Sequence, residues 1–217
     1  MVNAIEFIAE IGINHNGSLD LAKKHIEAAK NAGATIAKFQ TYFTETRTNL
    51  NSPIFDILKK CELKPDDFYE LSAFCKNLDI EFCSTPFCKK SANILYEIGS
   101  PSIKVASFHL TNLDLIRDIL KNSNAKRLIL STGVSSISDI ISANKTYNES
   151  SSPDKPDLVF LHCISKYPII KAEDNHLCNI KLISNITEKK VGFSDHSIGS
   201  NSSIVATALG AKIIEKH

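Results

Sequence analysis

Short apolar runs alternate along this chain with longer stretches in which apolar positions fall three or four apart. The runs suit buried strands, and the spaced stretches suit helices with one apolar face. IEFIAE, residues 5–10, predicts a first strand. Ser18 caps the helix predicted after it, which runs to Ala32 with Leu19, Ala22, His25, Ile26 and Ala29 on its inner side, and Gly33 ends it. Further strands are expected at 35–40, 80–84, 102–106, 127–131, 158–163, 191–194 and 211–215. Helices are expected at 65–77, 89–98, 112–121, 136–148, within 175–186 and at 201–209. A long polar loop, 41–53, leads into a short helical stretch before Cys61, and 149–156 is a Ser/Pro-rich loop.

Eight strands with a helix after each of the first seven imply parallel pairing. That number favours an α/β fold closed as a TIM (β/α)8 barrel over an open sheet. An open dinucleotide-binding sheet would need GxGxxG after the first strand, whereas Gly12 and Gly17 do not fit it and Asn14, His15 and Asn16 fill the turn. The expectation is one barrel domain over residues 1–217 that lacks its last helix, with strands one and eight poorly covered and the isolated chain of low stability.

Composition narrows the picture a little. The 217 residues are 43% hydrophobic and 23% charged, with a net charge of +1, so no basic field points to nucleic acid. No apolar run is long enough for a membrane helix, and the first residues lack a signal pattern, so a cytoplasmic protein is expected. The six cysteines form no CxxC pair; Cys83 and Cys163 fall in strand patterns as reduced core residues.

In a parallel barrel the strands deliver chemistry at their carboxyl ends. Those ends carry Glu10; Lys38 and Gln40; Ser84 and Thr85; Lys104 and Ser107; Ser131 and Thr132; Ser165 and Tyr167; Ser194 and His196; Glu215 and His217. Lys38 and Lys104 interrupt apolar runs, and a buried lysine needs an anionic partner. With hydroxyls from Thr85, Ser107, Ser131 and Ser194 they form a candidate phosphate or carboxylate site. A Schiff-base role is the competing reading and would need one lysine neutral. His196 and His217, two apart from Ser194 and Glu215, point to a divalent metal with open positions, such as manganese. His15 lies near the first loop within reach of substrate; His25 and His176 read as helix residues without a role, and His162 as core.

The segments EIGINHNGS, KFQTY, CSTPF, KVAS, LSTG, LHCISKYP, GFSDHSIG and ALGAKIIEKH, in this order, resemble the sialic acid synthase family, which includes N-acetylneuraminate, legionaminate and pseudaminate synthases. The resemblance implies metal-dependent condensation of phosphoenolpyruvate with an N-acetylated amino sugar, such as N-acetylmannosamine, to a nine-carbon α-keto acid and phosphate. It implies that Lys38, Thr85, Lys104, Ser107, Ser131, Ser165 and Ser194 hold phosphoenolpyruvate and that His196 and His217 bind Mn2+ or a similar ion. It also implies that Glu10, Gln40, Tyr167 and Glu215 face the sugar, with Glu10 or Glu215 handling the proton. Phe108 and His109 depart from the family's usual Gly and acidic residue, which leaves the sugar open. Members of the family continue past the EKH motif into a last barrel helix and a small antifreeze-like domain that reaches across a homodimer; this sequence ends at His217, so that part is expected to be absent. Two other readings stand beside the synthase: another metal-dependent barrel aldolase, and a non-catalytic barrel that binds phosphoenolpyruvate.

Overall fold

The structure, a computed structural model, describes residues 5–217; the first four residues of the expected domain lie outside the described part. Its strands are β1 (Glu6–Gly12), β2 (Ile36–Thr41), β3 (Glu81–Pro86), β4 (Ser102–Val105), β5 (Arg127–Ser131), β6 (Asp157–His162), β7 (Lys190–Asp195) and β8 (Ile213–Lys216). Each is parallel to the next, and β8 pairs with β1, so the sheet closes into the expected (β/α)8 barrel. Glu6 lies opposite Ile213 and Ile8 opposite Glu215. Closure needs only ladder hydrogen bonds and a filled interior, neither of which requires a helix after β8. Outside the barrel Phe7 on β1 remains 43% exposed, so only the outer cover there is thin.

Helices α1 (Leu19–Asn31), α2 (Thr44–Arg47), α3 (Phe55–Cys61), α4 (Pro65–Asn77), α5 (Lys89–Glu97), α6 (Leu113–Asn122), α7 (Ile137–Glu149), α8 (Asn179–Thr187) and α9 (Asn201–Ala208) connect the strands. Local chemistry sets their starts. Ser18 Oγ accepts from the Leu21 N–H at 3.2 Å, and α1 then buries Ala22, Ile26 and Ala29 along one face. Ser136 and Asp139 cap α7 reciprocally. Two segments differ from expectation. The polar loop after β2 folds part of its length into α2, which brings Arg47 inward. The helix expected within 175–186 begins later, at Asn179; His176 is not helical but stops a 3-10 turn (Ala172–Asn175) in left-handed conformation, φ 46°.

Alternation along the strands stacks the barrel interior in layers from odd and even strands in turn. At the amino end Arg127 of β5 bonds Glu6 of β1 at 2.7 Å and Glu81 of β3 at 3.0 Å. Above it Ile36, Val159 and Ile213 come from even strands, then Ile8, Cys83 and Ile129 from odd ones, all in one buried cluster with Leu161. Lys38, Lys104, Leu161 and Glu215 form the next even layer, and Glu10, Thr85, Ser131 and Ser194 the top odd layer. The larger apolar core lies between the sheet and the helices, with Phe39, Phe68, Phe82, Phe160 and Phe193 fully buried. Among the described residues no helix is long and apolar enough to cross a membrane.

Candidate active site

Every residue that the family resemblance assigns to the site lines one cavity of about 350 Å3 at the carboxyl ends of the strands, whereas Ser84 and Thr132 do not. Its floor is the charged even layer. Glu215, fully buried, accepts from the Lys104 ammonium and, at 2.6 Å, from Ser194 Oγ; its other oxygen lies 3.5 Å from Lys38 Nζ. Lys38 also pairs with Glu10, which accepts from Gln40 Nε2 at 3.4 Å. Two cations and two anions thus balance. Burial by itself would raise Glu215, but Lys104 and then Lys38 overcome it and hold the carboxyl far below its usual range. Burial by itself would lower Lys38, yet Glu10 and then Glu215 push it above its ordinary value. Lys38 is therefore held protonated, the reverse of what a Schiff-base amine needs. An ammonium has three donors, so pairing with carboxylates leaves capacity for an incoming anion.

One wall is built of hydroxyls. The Gly133 N–H donates to Ser107 Oγ at 3.0 Å, and Ser107 Oγ lies 3.2 Å from Cys163 Sγ. Ser131 Oγ is buried with no hydrogen-bond partner among the described residues. A Cβ at Gly133 would stand 2.7 Å from Ser165 Oγ, 2.8 Å from Cys163 Sγ and 2.9 Å from Ser107 Oγ. Glycine here keeps a small polar cradle open, with a backbone donor and several hydroxyls converging on it.

The opposite side carries the histidines. Their ring centroids are 4.2 Å apart, with the Tyr167 ring stacked 3.9 Å from His196. His196 Nδ1 lies 2.6 Å from the Ile164 carbonyl, which makes Nδ1 the protonated nitrogen and leaves Nε2 a lone pair, 3.3 Å from Ser194 Oγ. Burial, then His217, lowers His196 to about 4; burial lowers His217 to about 4 despite Glu215. Both are neutral at pH 7, as metal ligands must be. Their chain positions are held by Asp195, which accepts from Ser197 and Ser203 Oγ at 2.5 Å and meets Lys216 at 3.3 Å. Among the described residues no group of three or more His, Cys, Asp or Glu is placed to hold a metal ion.

Some placements were not anticipated. His15 does not line the cavity; it is buried 6.1 Å from Phe39, and its Nδ1 accepts from the Gly17 N–H at 3.1 Å. The cause is the irregular register between Glu10 and Gly12, with Gly12 at φ 59°, which turns the chain away from the mouth. Cys163, buried as expected, also lines the cavity. Arg47, Phe87 and Val134 line it too and carry no sequence signal beyond their closeness to strand ends. His162 is core, with Nε2 2.7 Å from the Asn175 carbonyl.

Comparison with known proteins follows the same lines. The chain is 35% identical to the N,N'-diacetyllegionaminic acid synthase of Legionella pneumophila over 97% of its own length and 62% of that protein. It is 40% identical to an uncharacterised protein of Methanocaldococcus jannaschii over 97% of its length and 60% of that protein. The chain thus spans about 60% of the length of these curated relatives. The crystal structure of N-acetylneuraminic acid synthetase from Leptospira borgpetersenii in complex with citrate superposes with a TM-score of 0.91 at 35% identity, covering 99% of this chain and 73% of that one. The pattern that defines the NeuB family matches residues 25–217, and the chain belongs to that family.

Proposed function

We propose that this barrel condenses phosphoenolpyruvate with an open-chain N-acetylated amino sugar, giving an α-keto sugar acid and inorganic phosphate. The observation that carries the reading is the meeting, in one cavity, of two lysines paired with buried acids, a hydroxyl cradle around Gly133, and a pair of neutral histidines. The cradle and Lys104 suit the phosphate and carboxylate of phosphoenolpyruvate. Gln40, on β2, and Tyr167, in the loop after β6 and stacked on His196, face the acceptor. His196 and His217 would hold a divalent ion, which supplies Lewis-acid polarisation of the sugar aldehyde when bound.

The protein's own residues do the rest. They align C3 of phosphoenolpyruvate with the aldehyde carbon, so that a C–C bond forms and C2 becomes electron-poor. Water adds at C2. The tetrahedral centre then expels phosphate by breaking the C2–O bond, and the remaining hydroxyl loses its proton to become the ketone. The aldehyde oxygen takes one proton and ends as a hydroxyl. Glu215, locked in its charged form between two lysines, is a poor proton carrier and acts as the fixed counter-charge. Glu10, at the mouth-side layer, is the proton handler.

The test supplies manganese, phosphoenolpyruvate and a panel of N-acetylated amino sugars in 18O-labelled water. Phosphate release that depends on the sugar is expected, with label in the keto acid and none in phosphate. Folded protein that releases no phosphate with any sugar would sink the reading, and turnover without phosphoenolpyruvate would mark an aldolase instead.

A further inference from the structure

Cys163 is a buried cysteine whose surroundings the apolar core does not explain. Cys75 and Cys83 each pack inside one of the two apolar clusters. Cys163 is 3% exposed yet belongs to neither, and it lines the cavity at the carboxyl ends of the strands. It follows β6, and its Sγ lies 3.2 Å from Ser107 Oγ in the turn after β4. A second observation marks this wall as shaped for a ligand. Ser131, on the strand between them, is 2% exposed and lines the same cavity, and its Oγ has no hydrogen-bond partner among the described residues.

The hydrogen bonds of Ser107 have a direction. A hydroxyl has one proton to give and two lone pairs to fill. The Gly133 N–H can only donate, and at 3.0 Å it fills one lone pair. Two arrangements remain for the contact with Cys163. If Ser107 gives its proton to sulfur, a bare lone pair faces the cavity and repels an anion. If the thiol gives its proton to Ser107, both lone pairs are filled and the hydroxyl proton is left for the cavity, where an anion accepts it. Lys38 and Lys104 in the floor draw an anion to this space, which selects the second arrangement. Cysteine suits the task, because its sulfur is a weak acceptor and competes little for the Ser107 proton.

We infer that Cys163 is a positioning residue whose S–H turns the Ser107 hydroxyl into a fixed donor towards the phosphate or carboxylate of bound phosphoenolpyruvate. The inference rests on the condensation reading for the identity of that anion.

The test measures calorimetric affinity for phosphoenolpyruvate and for inorganic phosphate, together with sugar-dependent phosphate release. The proteins are the native chain, Cys163→Ala, Cys163→Ser, Ser107→Ala and the double variant Cys163→Ala/Ser107→Ala. Cys163→Ala is expected to weaken phosphoenolpyruvate about tenfold, as the loss of one hydrogen bond does. Cys163→Ser shrinks the side chain too but keeps a donor, and should stay within about threefold of native. On the Ser107→Ala background the loss of the thiol should cost nothing further, since no hydroxyl is left to orient. The S–H stretch of Cys163, isolated by difference infrared spectra against Cys163→Ser, should lie at the lowered frequency of a donating thiol and stay there when phosphoenolpyruvate binds. Native affinity in Cys163→Ala, an equal loss in the alanine and serine variants, an undiminished loss on the Ser107→Ala background, or the frequency of a thiol that does not donate would each overturn the inference and leave the condensation standing. If the native chain neither binds phosphoenolpyruvate nor releases phosphate with any sugar, the condensation reading falls. Binding of inorganic phosphate that couples Cys163 to Ser107 would then still support the oriented hydroxyl, and its absence would remove both.

Discussion

At the scale of single residues, Glu215 shows how the site is held. It touches Lys104, Lys38 and Ser194 from a position with no solvent exposure. Glu215→Gln would leave two buried ammonium groups with Glu10 as the only carboxylate. Removing one partner of such a buried set typically costs about 3–5 kcal/mol. Urea unfolding at pH 7 should register a loss of that order together with loss of phosphate release; an unchanged midpoint would refute the charge balance among Lys38, Lys104, Glu10 and Glu215. Lys38, Lys104 and Glu215 were legible in the sequence because each breaks an apolar run at a strand end, where alternation fixes the direction of the side chain. The two histidines were legible from their spacing, each two residues beyond a polar strand-end residue, Ser194 or Glu215. Arg47 was not, because it sits in a segment with no apolar period, where only the folded α2 aims it inward. His15 was misread because a polar residue just past a strand was taken to stay at the mouth, whereas the bend at Gly12 carries it below.

At the scale of elements, the junction of β7 and β8 sets the distance between His196 and His217. Phe193, Ser194 and Asp195 lie opposite Ile214, Glu215 and Lys216. The close approach there depends on Gly192, where a Cβ would fall 2.3 Å from the Ile213 carbonyl oxygen and 2.6 Å from Leu161 Cδ2. The first contact is backbone, so relief requires moving β8. Gly192→Ala should destabilise by about 1–3 kcal/mol, as overpacking usually does, and should weaken manganese binding by displacing His217 from His196. Thermal unfolding and metal titration read both; a variant with native values in each would show that β8 tolerates the shift. All eight strands and most of the helices were readable from apolar runs and caps. The ends were less so: β1 continues to Gly12 across an irregular pairing, and α8 starts after a left-handed His176 that no local pattern announces.

At the scale of the whole molecule, pH enters through buried neutral histidines. His15 is 1% exposed, and burial lowers it to about 4 from an unfolded value of 6.5. Its folded pKa is depressed, so its contribution is fully present above pH 6.5 and is lost as pH falls and the unfolded chain takes up the proton. Between pH 7 and pH 5 this one group should remove about 2 kcal/mol of stability. His15→Gln should flatten the dependence of unfolding free energy on pH by about that amount, measured by urea titration at the two pH values; an unaltered slope would exclude His15 as a source. At the amino end, the Glu6–Arg127–Glu81 bridge ties β1, β5 and β3 together below the apolar layers.

The layered interior has a consequence for what can vary. The row of Lys38, Lys104, Leu161 and Glu215 is both a floor of the reaction space and a course of the column that fills the barrel. Any change in it is answered by the packing of the layers beneath, so this floor resists retuning. The segment after β2 and the turn after β4 rest on that floor without supporting it. Side chains at the rim can therefore drift, residue by residue, while the charged floor stays anchored in the masonry of the fold.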